Sequence, residues 1–241
     1  MKTAEYIAYT IDRFPKGYVF TYTDFTAEVK KKEAVIKALN RMAKSGKITK
    51  LSKGKYYKPE KSVFGELPPN QRQVVKDLLE EKGKTTGYLT GYSIYSQLGL
   101  TTQISNTIQI GKNEIRPAFE RDRYKISFIK QKNTITKENI PLLQILDAIR
   151  YIKKIPDTSL VASCKRLLAI IKELALDDKT TIVRLALKYP PSTRALLGAI
   201  MDELGNTKQI EPLKKSLNPI TVYKFTGIRS VLTSAENWNI I

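Results

Sequence analysis

The first sixty residues place apolar positions at intervals that predict three helices and a hairpin. A first helix has one apolar stripe, at i, i+4 and i+7, formed by Ile7, Ile11 and Phe14. The sequence Pro15-Lys16-Gly17 ends it, and residues 18–20 have the composition of a short strand. Thr21 and Asp24 then match a capping box, which predicts a second helix with Phe25 and Val29 on its inner side.

A third helix is predicted from Glu33 to Gly46, where the glycine supplies the stop. At 100° per residue, one face of this helix is apolar and consists of Val35, Ala38, Leu39 and Met42. The opposite face is polar and consists of Lys37, Asn40, Arg41 and Lys44. Residues 47–59 follow as a basic hairpin with Lys53-Gly54-Lys55 at its tip. This order of elements is typical of a winged helix-turn-helix.

Charge is concentrated on the elements that such a domain presents to DNA. Residues 30–55 contain ten Lys or Arg and one acid, Glu33. A lysine-rich helix face is usually only a solvated surface, but a surface charged for solubility mixes the two signs. We therefore expect duplex DNA as the partner, bound through Lys31, Lys32, Lys37, Asn40, Arg41, Lys44, Lys50, Lys53 and Lys55. The second-helix cap adds Thr21, Tyr22 and Thr23 as secondary phosphate contacts, with a purely structural role as the alternative.

The remaining residues predict an α+β fold that becomes mostly helical. After the paired prolines of 62–70, an amphipathic helix is expected from about Gln71 to Lys82, followed by strands at 107–110 and 123–129. A helix starting at Pro141 leads into four further helices between Ser159 and Leu217. The predicted organisation is a DNA-binding domain at 1–61, an α+β region at 62–155 and a helical lobe at 156–241.

Composition argues against an enzyme. The 241-residue chain has a formal charge of +19, no histidine and one cysteine, Cys164, which lies among apolar residues. Nucleophilic triads that need histidine and ordinary zinc sites are therefore excluded, and no cofactor or metal is expected. Gly83-Lys84-Thr85 imitates the end of a phosphate-binding loop, but Leu78 stands where its first glycine should be. The absence of a signal peptide or membrane-spanning run predicts a cytoplasmic protein.

Several segments, in the right order, resemble AbiEi-type antitoxins of bacterial type IV toxin–antitoxin systems. They are AVIKALNRMAKSGKITKLSKGKYY in the basic region, GYLTGYSIYSQLGLTTQ at 87–103, YPPSTRALLGAIMDELG at 189–205 and SLNPITVYKF at 216–225. The wing alone is shared by many repressors, whereas the LLGAI and LNP-x-T-x-Y-K segments are more specific.

The resemblance implies a repressor of its own operon whose C-terminal region counteracts a nucleotidyltransferase toxin, AbiEii, without necessarily forming a stable complex with it. Residues 62–241 are then the antitoxin region, and its basic strand segment is the candidate surface: Arg116, Arg121, Arg123, Lys125, Lys130 and Lys132. Charges that merely solubilise this lobe are the alternative explanation. A DNA-binding accessory protein of a host-defence or DNA-processing system is the alternative function.

Overall fold

The computed structural model describes residues 2–29, 31–63, 65–81 and 83–241. The chain forms a mixed α+β structure that divides into two compact units. The first unit comprises Met1–Leu78 and Phe119–Tyr124, and the second comprises Leu79–Ala118 and Lys125–Ile241. Among the described residues, no helix has the length and apolar character needed to cross a membrane.

The first unit opens with two helices and a three-stranded sheet. Its elements are helix α1 (Thr3–Arg13), strand β1 (Val19–Thr21), a 3-10 turn (Tyr22–Phe25), helix α2 (Lys32–Lys44) and strands β2 (Thr49–Ser52) and β3 (Lys55–Tyr57). Strand β3 is central and pairs antiparallel with both β1 and β2. The unit continues with β4 (Glu60–Ser62), β5 (Gly65–Leu67), α3 (Gln71–Val74) and α4 (Lys76–Leu79), the last ending at the unit boundary.

The apolar positions predicted from periodicity form the core of this unit. Buried side chains from α1, the 3-10 turn, α2 and the sheet pack together, including Ile7, Ile11, Phe20, Phe25, Val35, Ala38, Leu39, Ile48 and Tyr56. Phe14, Val29 and Met42 pack against this cluster and are partly buried. Each fully buried aliphatic side chain contributes roughly 1.5–3 kcal/mol. The stripes of α1 and α2 were therefore predicted correctly.

Two predicted helices are shorter than expected. The second helix is only the single 3-10 turn at Tyr22–Phe25, although the capping box that predicted it is present. The helix predicted from Gln71 breaks at Val75 into α3 and α4 and is followed by a two-residue hairpin, β6 (Glu80–Glu81) and β7 (Lys84–Thr85). The turn between these strands contains Gly83 at φ +77°, a conformation that glycine adopts without strain.

Some residues of the predicted segments lie outside the described residues. They are Lys30 at the start of the basic segment, Phe64 in the predicted linker and Lys82 at the end of the predicted helix.

The division into units also differs from the predicted domains. The first unit extends to Leu78 rather than ending at 61, and it includes a distant segment that contains strand β10 (Phe119–Arg121). The side chain of Arg121 holds this segment in place through hydrogen bonds to the Val74 backbone oxygen and to Asp77. These bonds join residues more than forty positions apart, which periodicity does not detect.

In the second unit, strand β9 (Thr107–Lys112) pairs antiparallel with β8 (Gly87–Thr90) and parallel with β11 (Tyr124–Lys130). Its helices are α5 (Tyr92–Tyr95), α6 (Ile140–Arg150), α7 (Leu160–Lys172), α8 (Leu176–Ala186), α9 (Pro191–Glu203) and α10 (Thr207–Lys215). Three 3-10 segments lie at Ile152–Lys154, Ile228–Ser230 and Thr233–Trp238. The mostly helical C-terminal region was thus predicted correctly.

The core of the second unit is larger and packs the helices around α6 and α9. Trp238, the single tryptophan of the chain, is buried against Gly198 of α9. A Cβ atom at position 198 would lie 2.2 Å from the Trp238 ring, so the helix needs glycine there. Cys164 is fully buried in the same core, and burial raises the pKa of its thiol to about 12. This environment is that of a structural cysteine.

Candidate nucleic-acid interface

Helix α2 is anchored by its inner face and by its C-terminal end. Val35 and Leu39 have no exposed surface, and Ala38 is almost completely buried. At the end of the helix, the Gly46 N–H donates to the Ala43 oxygen at 3.2 Å and the Lys47 N–H donates to the Met42 oxygen at 3.0 Å. This pair of bonds is a Schellman motif, which Gly46 permits by adopting φ +73°. The orientation of the helix is therefore set by packing and capping together.

The predicted contact residues of α2 lie on its outer, solvent-exposed face. Lys37, Asn40, Arg41 and Lys44 are all exposed. Within the described parts of the chain, none of these three cations forms an ion pair with an acid. At the beginning of the helix, Lys31 and Lys32 are also exposed and line a groove of about 520 Å³ with Lys37 and Glu33. The helix thus offers uncompensated positive charge along one side.

Asn40 is held by a neighbour that the sequence did not indicate. The Tyr56 hydroxyl, on strand β3, donates a hydrogen bond to Asn40 Oδ1 at 2.7 Å. Burial raises the pKa of the Tyr56 hydroxyl, so it remains a donor at neutral pH. An amide oxygen accepts two hydrogen bonds, and the Asn40 amide nitrogen stays available to donate. The contact therefore orients the Asn40 side chain at the surface of α2.

The hairpin places some of its lysines outward and one inward. Lys50 and Lys53 are exposed, and Gly54 forms the two-residue turn at φ +74°. Lys55, which was also predicted to contact DNA, is instead paired within the first unit: its ammonium lies 2.8 Å from Asp77 Oδ2 and its side chain is 18% exposed. Lys55 starts strand β3, which directs its side chain toward the acid of α4. It is a structural cation.

The N-terminal turn of the second predicted helix is capped by hydrogen bonds among its own residues. The Thr21 hydroxyl accepts from the Thr23 N–H at 3.2 Å, and the Thr21 N–H donates to Asp24 at 2.8 Å. Because these N–H groups already have partners, this turn does not offer the free helix N-terminus that a phosphate needs. The Lys32 ammonium lies 4.6 Å from the centre of the Tyr22 ring. The structure thus favours the structural role for Thr21 and Thr23.

The second predicted surface, on the basic strand segment, is divided between the two units. Lys125, Lys130 and Lys132 are exposed in the second unit, as is Arg116, whose guanidinium lies 5.3 Å from the centre of the Phe128 ring. Arg123 is exposed in the first unit and contacts Tyr124.

Arg121 does not belong to that surface. It is only 7% exposed, because its guanidinium forms two hydrogen bonds with the Asp77 carboxylate at 2.7 and 3.1 Å. Its role is to hold strand β10 in the first unit.

Asp147 of α6 is the most strongly buried acid in the described chain and was not identified from the sequence. It accepts hydrogen bonds from Tyr88, Thr90 and Tyr189 at 2.7, 2.7 and 2.9 Å. Burial raises the pKa of its carboxyl, although the three hydroxyl donors act in the opposite direction. Asp147 has no exposed surface, so no substrate can reach it, and its position is that of a structural acceptor.

The candidate site contains no arrangement of metal-binding side chains. Over the described ranges, no group of three or more His, Cys, Asp or Glu residues could hold a metal ion. The sequence did not indicate Tyr56 as the partner of Asn40, or Asp77 as the partner of Lys55 and Arg121. No local signal marks these residues, because their partners lie far away in the chain.

Comparisons with known proteins identify a family but not an activity. No curated protein matches the chain in sequence. A solved structure, that of the RV2827C protein from Mycobacterium tuberculosis, is similar over 92% of this chain and 85% of that chain, with 16% identity and a TM-score of 0.44. At that TM-score the likeness supports no conclusion about fold or function. The model of a family of unknown function, DUF6088, matches residues 6–174, so the chain belongs to the DUF6088 family.

Proposed function

We propose that the first unit is a winged helix-turn-helix that binds duplex DNA, with α2 as the recognition helix and the β2–β3 hairpin as the wing. The observation that carries this proposal is the outer face of α2, where Lys37, Arg41 and Lys44 are exposed without an acid partner. A helix of 13 residues with one buried and one basic face matches what the major groove admits.

The first unit departs from the usual motif in one element. The helix that normally precedes the recognition helix is reduced to the 3-10 turn at Tyr22–Phe25. Phe25 nevertheless packs in the core, with its ring centre 5.8 Å from that of Phe20. We infer that this aromatic contact and the β1–β3–β2 sheet support α2 where a longer helix otherwise would.

We propose that some residues recognise the base sequence and that others bind the phosphate backbone. Arg41 has the bidentate geometry that suits guanine, and Asn40, oriented by Tyr56, has the geometry that suits adenine. Lys53 at the wing tip is a phosphate contact, which gives affinity without sequence information.

The test compares full-length variants on DNA from the region upstream of the protein's own gene. Arg41→Ala is expected to cost about 1–3 kcal/mol on the preferred sequence and to relax the preference at one position. Lys53→Ala should weaken binding equally on all sequences and reduce the salt slope by about 0.9, because one phosphate contact is lost. Fluorescence anisotropy over a salt series measures both effects.

Lys61→Ala is the matched control, since Lys61 is an exposed cation of the same unit outside α2 and the hairpin. Its affinity should equal that of the unaltered protein. Binding that does not respond to salt, or an Arg41→Ala variant with unchanged affinity and preference, would refute the proposal.

We further propose that the protein is a transcriptional autoregulator and the antitoxin of a type IV system, countering a nucleotidyltransferase toxin. This part rests on the sequence resemblance to AbiEi-type antitoxins. A nucleotidyltransferase gene directly downstream would favour it, whereas a neighbouring nuclease or methylase gene would favour the alternative of a DNA-binding defence accessory protein.

Antitoxin activity is best tested with the full chain, because residues 119–124 belong to the first unit and a cut at residue 61 would separate them from their partners. A Lys37→Ala/Arg41→Ala double variant, expressed from an independent promoter with the downstream toxin, should restore growth as well as the unaltered protein. Loss of growth rescue despite equal protein levels would show that DNA binding, rather than neutralisation, is the protective activity.

A further inference from the structure

The second unit contains a positively charged cavity that the DNA-binding proposal does not use. The cavity has a volume of about 550 Å³ and lies where the end of β11, the end of α6 and the α8–α9 connection meet. Five cations line it, and no acid does: Lys130, Lys132, Arg150, Lys188 and Arg194. Its size falls within the roughly 300–1,000 Å³ that is usual for small-molecule sites.

The five cations lie near one buried carboxylate, since Asp147 interacts electrostatically with Arg150. In the described part of the chain, none of them forms an ion pair. Lys188 Nζ lies 3.4 Å from the Lys132 backbone oxygen, which brings two of the lysine residues together. Like charges gathered in one cavity repel each other. An anion that enters the cavity reduces this repulsion and therefore stabilises the arrangement.

The floor of the cavity is built from buried, hydrogen-bonded side chains. Gln131 and Tyr189 are 3% and 6% exposed, and Gln131 Nε2 donates to the Tyr189 hydroxyl at 2.8 Å. Tyr189 in turn donates to Asp147 at 2.9 Å. Asp147 therefore holds Tyr189 in place, and its own carboxylate does not line the cavity. A floor held by buried hydrogen bonds positions the surrounding cations in advance of binding.

The walls add an apolar surface and a helix end. Leu187, Pro190 and Pro191 line the cavity beside the cations. Pro191 begins the 13-residue helix α9, whose N-terminal end contributes further positive potential. A ligand that suits this lining has several negative charges and an apolar part of limited size. Nucleoside di- and triphosphates have this chemistry, whereas a DNA backbone presents a long row of single charges.

We propose that this cavity binds a nucleoside triphosphate or diphosphate through its phosphate groups. The proposal is independent of DNA binding by the first unit. Titration calorimetry on the full chain should show ATP binding that weakens with salt, and adenosine should bind much more weakly. Lys130→Gln/Lys132→Gln should raise the ATP dissociation constant about tenfold or more, because two phosphate-facing charges are removed.

The matched control is Lys165→Gln/Lys208→Gln, which removes two exposed cations of the second unit outside the cavity and should leave ATP binding unchanged. Circular dichroism verifies that both double variants are folded. No ATP binding at millimolar concentration, or equal binding by the cavity variant, would overturn the proposal. Tripolyphosphate binding as tight as ATP would overturn the nucleoside part. Loss of duplex DNA binding in the cavity variant, without ATP binding, would assign the cavity to the DNA surface instead.

Discussion

Each unit contains one aspartate at the centre of a polar network, and the two carboxyls are perturbed in opposite directions. Asp77 in the first unit binds two cations, Arg121 and Lys55, and remains 40% exposed. Burial acts to raise the pKa of Asp77, but the hydrogen bonds from these cations outweigh it and hold the pKa below its ordinary value. Asp147 in the second unit has only neutral hydroxyl donors, and its complete burial raises its pKa.

The comparison shows that the type of partner decides what an acid at the centre of a polar network contributes. Positive partners favour the charged carboxylate, so Asp77 acts as an electrostatic link that fastens β3 and β10 to α4. Hydroxyl partners satisfy hydrogen bonds but do not compensate for desolvation, so Asp147 organises its neighbours at an electrostatic cost.

The largest effect is expected from Asp147→Ala. This change leaves three buried hydroxyls, of Tyr88, Thr90 and Tyr189, without their acceptor, and it should lower the free energy of unfolding by about 3 kcal/mol. Trp238 fluorescence during urea unfolding reports on this unit, because the only tryptophan is buried in its core. The exposed Asp178→Ala is the control. If Asp147→Ala lowers the free energy of unfolding by less than Asp178→Ala does, the hydrogen bonds to Asp147 do not stabilise the second unit.

A smaller effect, confined to the first unit, is expected from Asp77→Asn. The change leaves the Arg121 guanidinium buried without a counter-charge and should cost about 2 kcal/mol, below the range for a fully buried pair because water reaches Asp77. Hydrogen exchange of the α2 and β3 amides should accelerate, while the Trp238 unfolding transition stays in place. A shifted Trp238 transition would contradict the assignment of this link to the first unit.

The smallest effect is a difference in pH dependence between Asp77→Asn and Asp147→Asn. The folded-state pKa of Asp77 is lowered, so its stabilisation is present above the unfolded-state pKa and is lost as pH falls through the folded value. The pKa of Asp147 is raised, so its favourable contribution is present below the unfolded-state pKa and is lost as pH rises through the folded value.

Relative to the unaltered protein, Asp77→Asn should therefore lose stability as pH rises from about 3 to about 7, and Asp147→Asn should gain stability over the same interval. The change for Asp77→Asn should be the smaller of the two, because solvent screens Asp77. Denaturant titrations at several pH values measure, for each variant, how its stability relative to the unaltered protein changes with pH. Changes of the same sign for the two variants would contradict the comparison.

The two basic regions differ in how far the sequence could predict them. The basic face of α2 was predicted residue by residue, because all its members lie within one helix and share its period. The cavity of the second unit was not, although Lys130 and Lys132 were singled out. Its other cations come from α6, from the α8–α9 connection and from α9, and only the packing of these elements brings them together.

The sequence by itself determined the positions of helices α1, α2 and α6 to α10 closely, and it determined the buried faces of α1 and α2, because helix periodicity and caps involve residues within about four positions. The tertiary structure alone decided that Arg121 is buried, that Lys55 turns inward, and that Asp147 collects donors from two other segments. These contacts join residues 42 to 59 positions apart for Arg121 and Asp147, so their formation depends on the completed packing rather than on any local pattern.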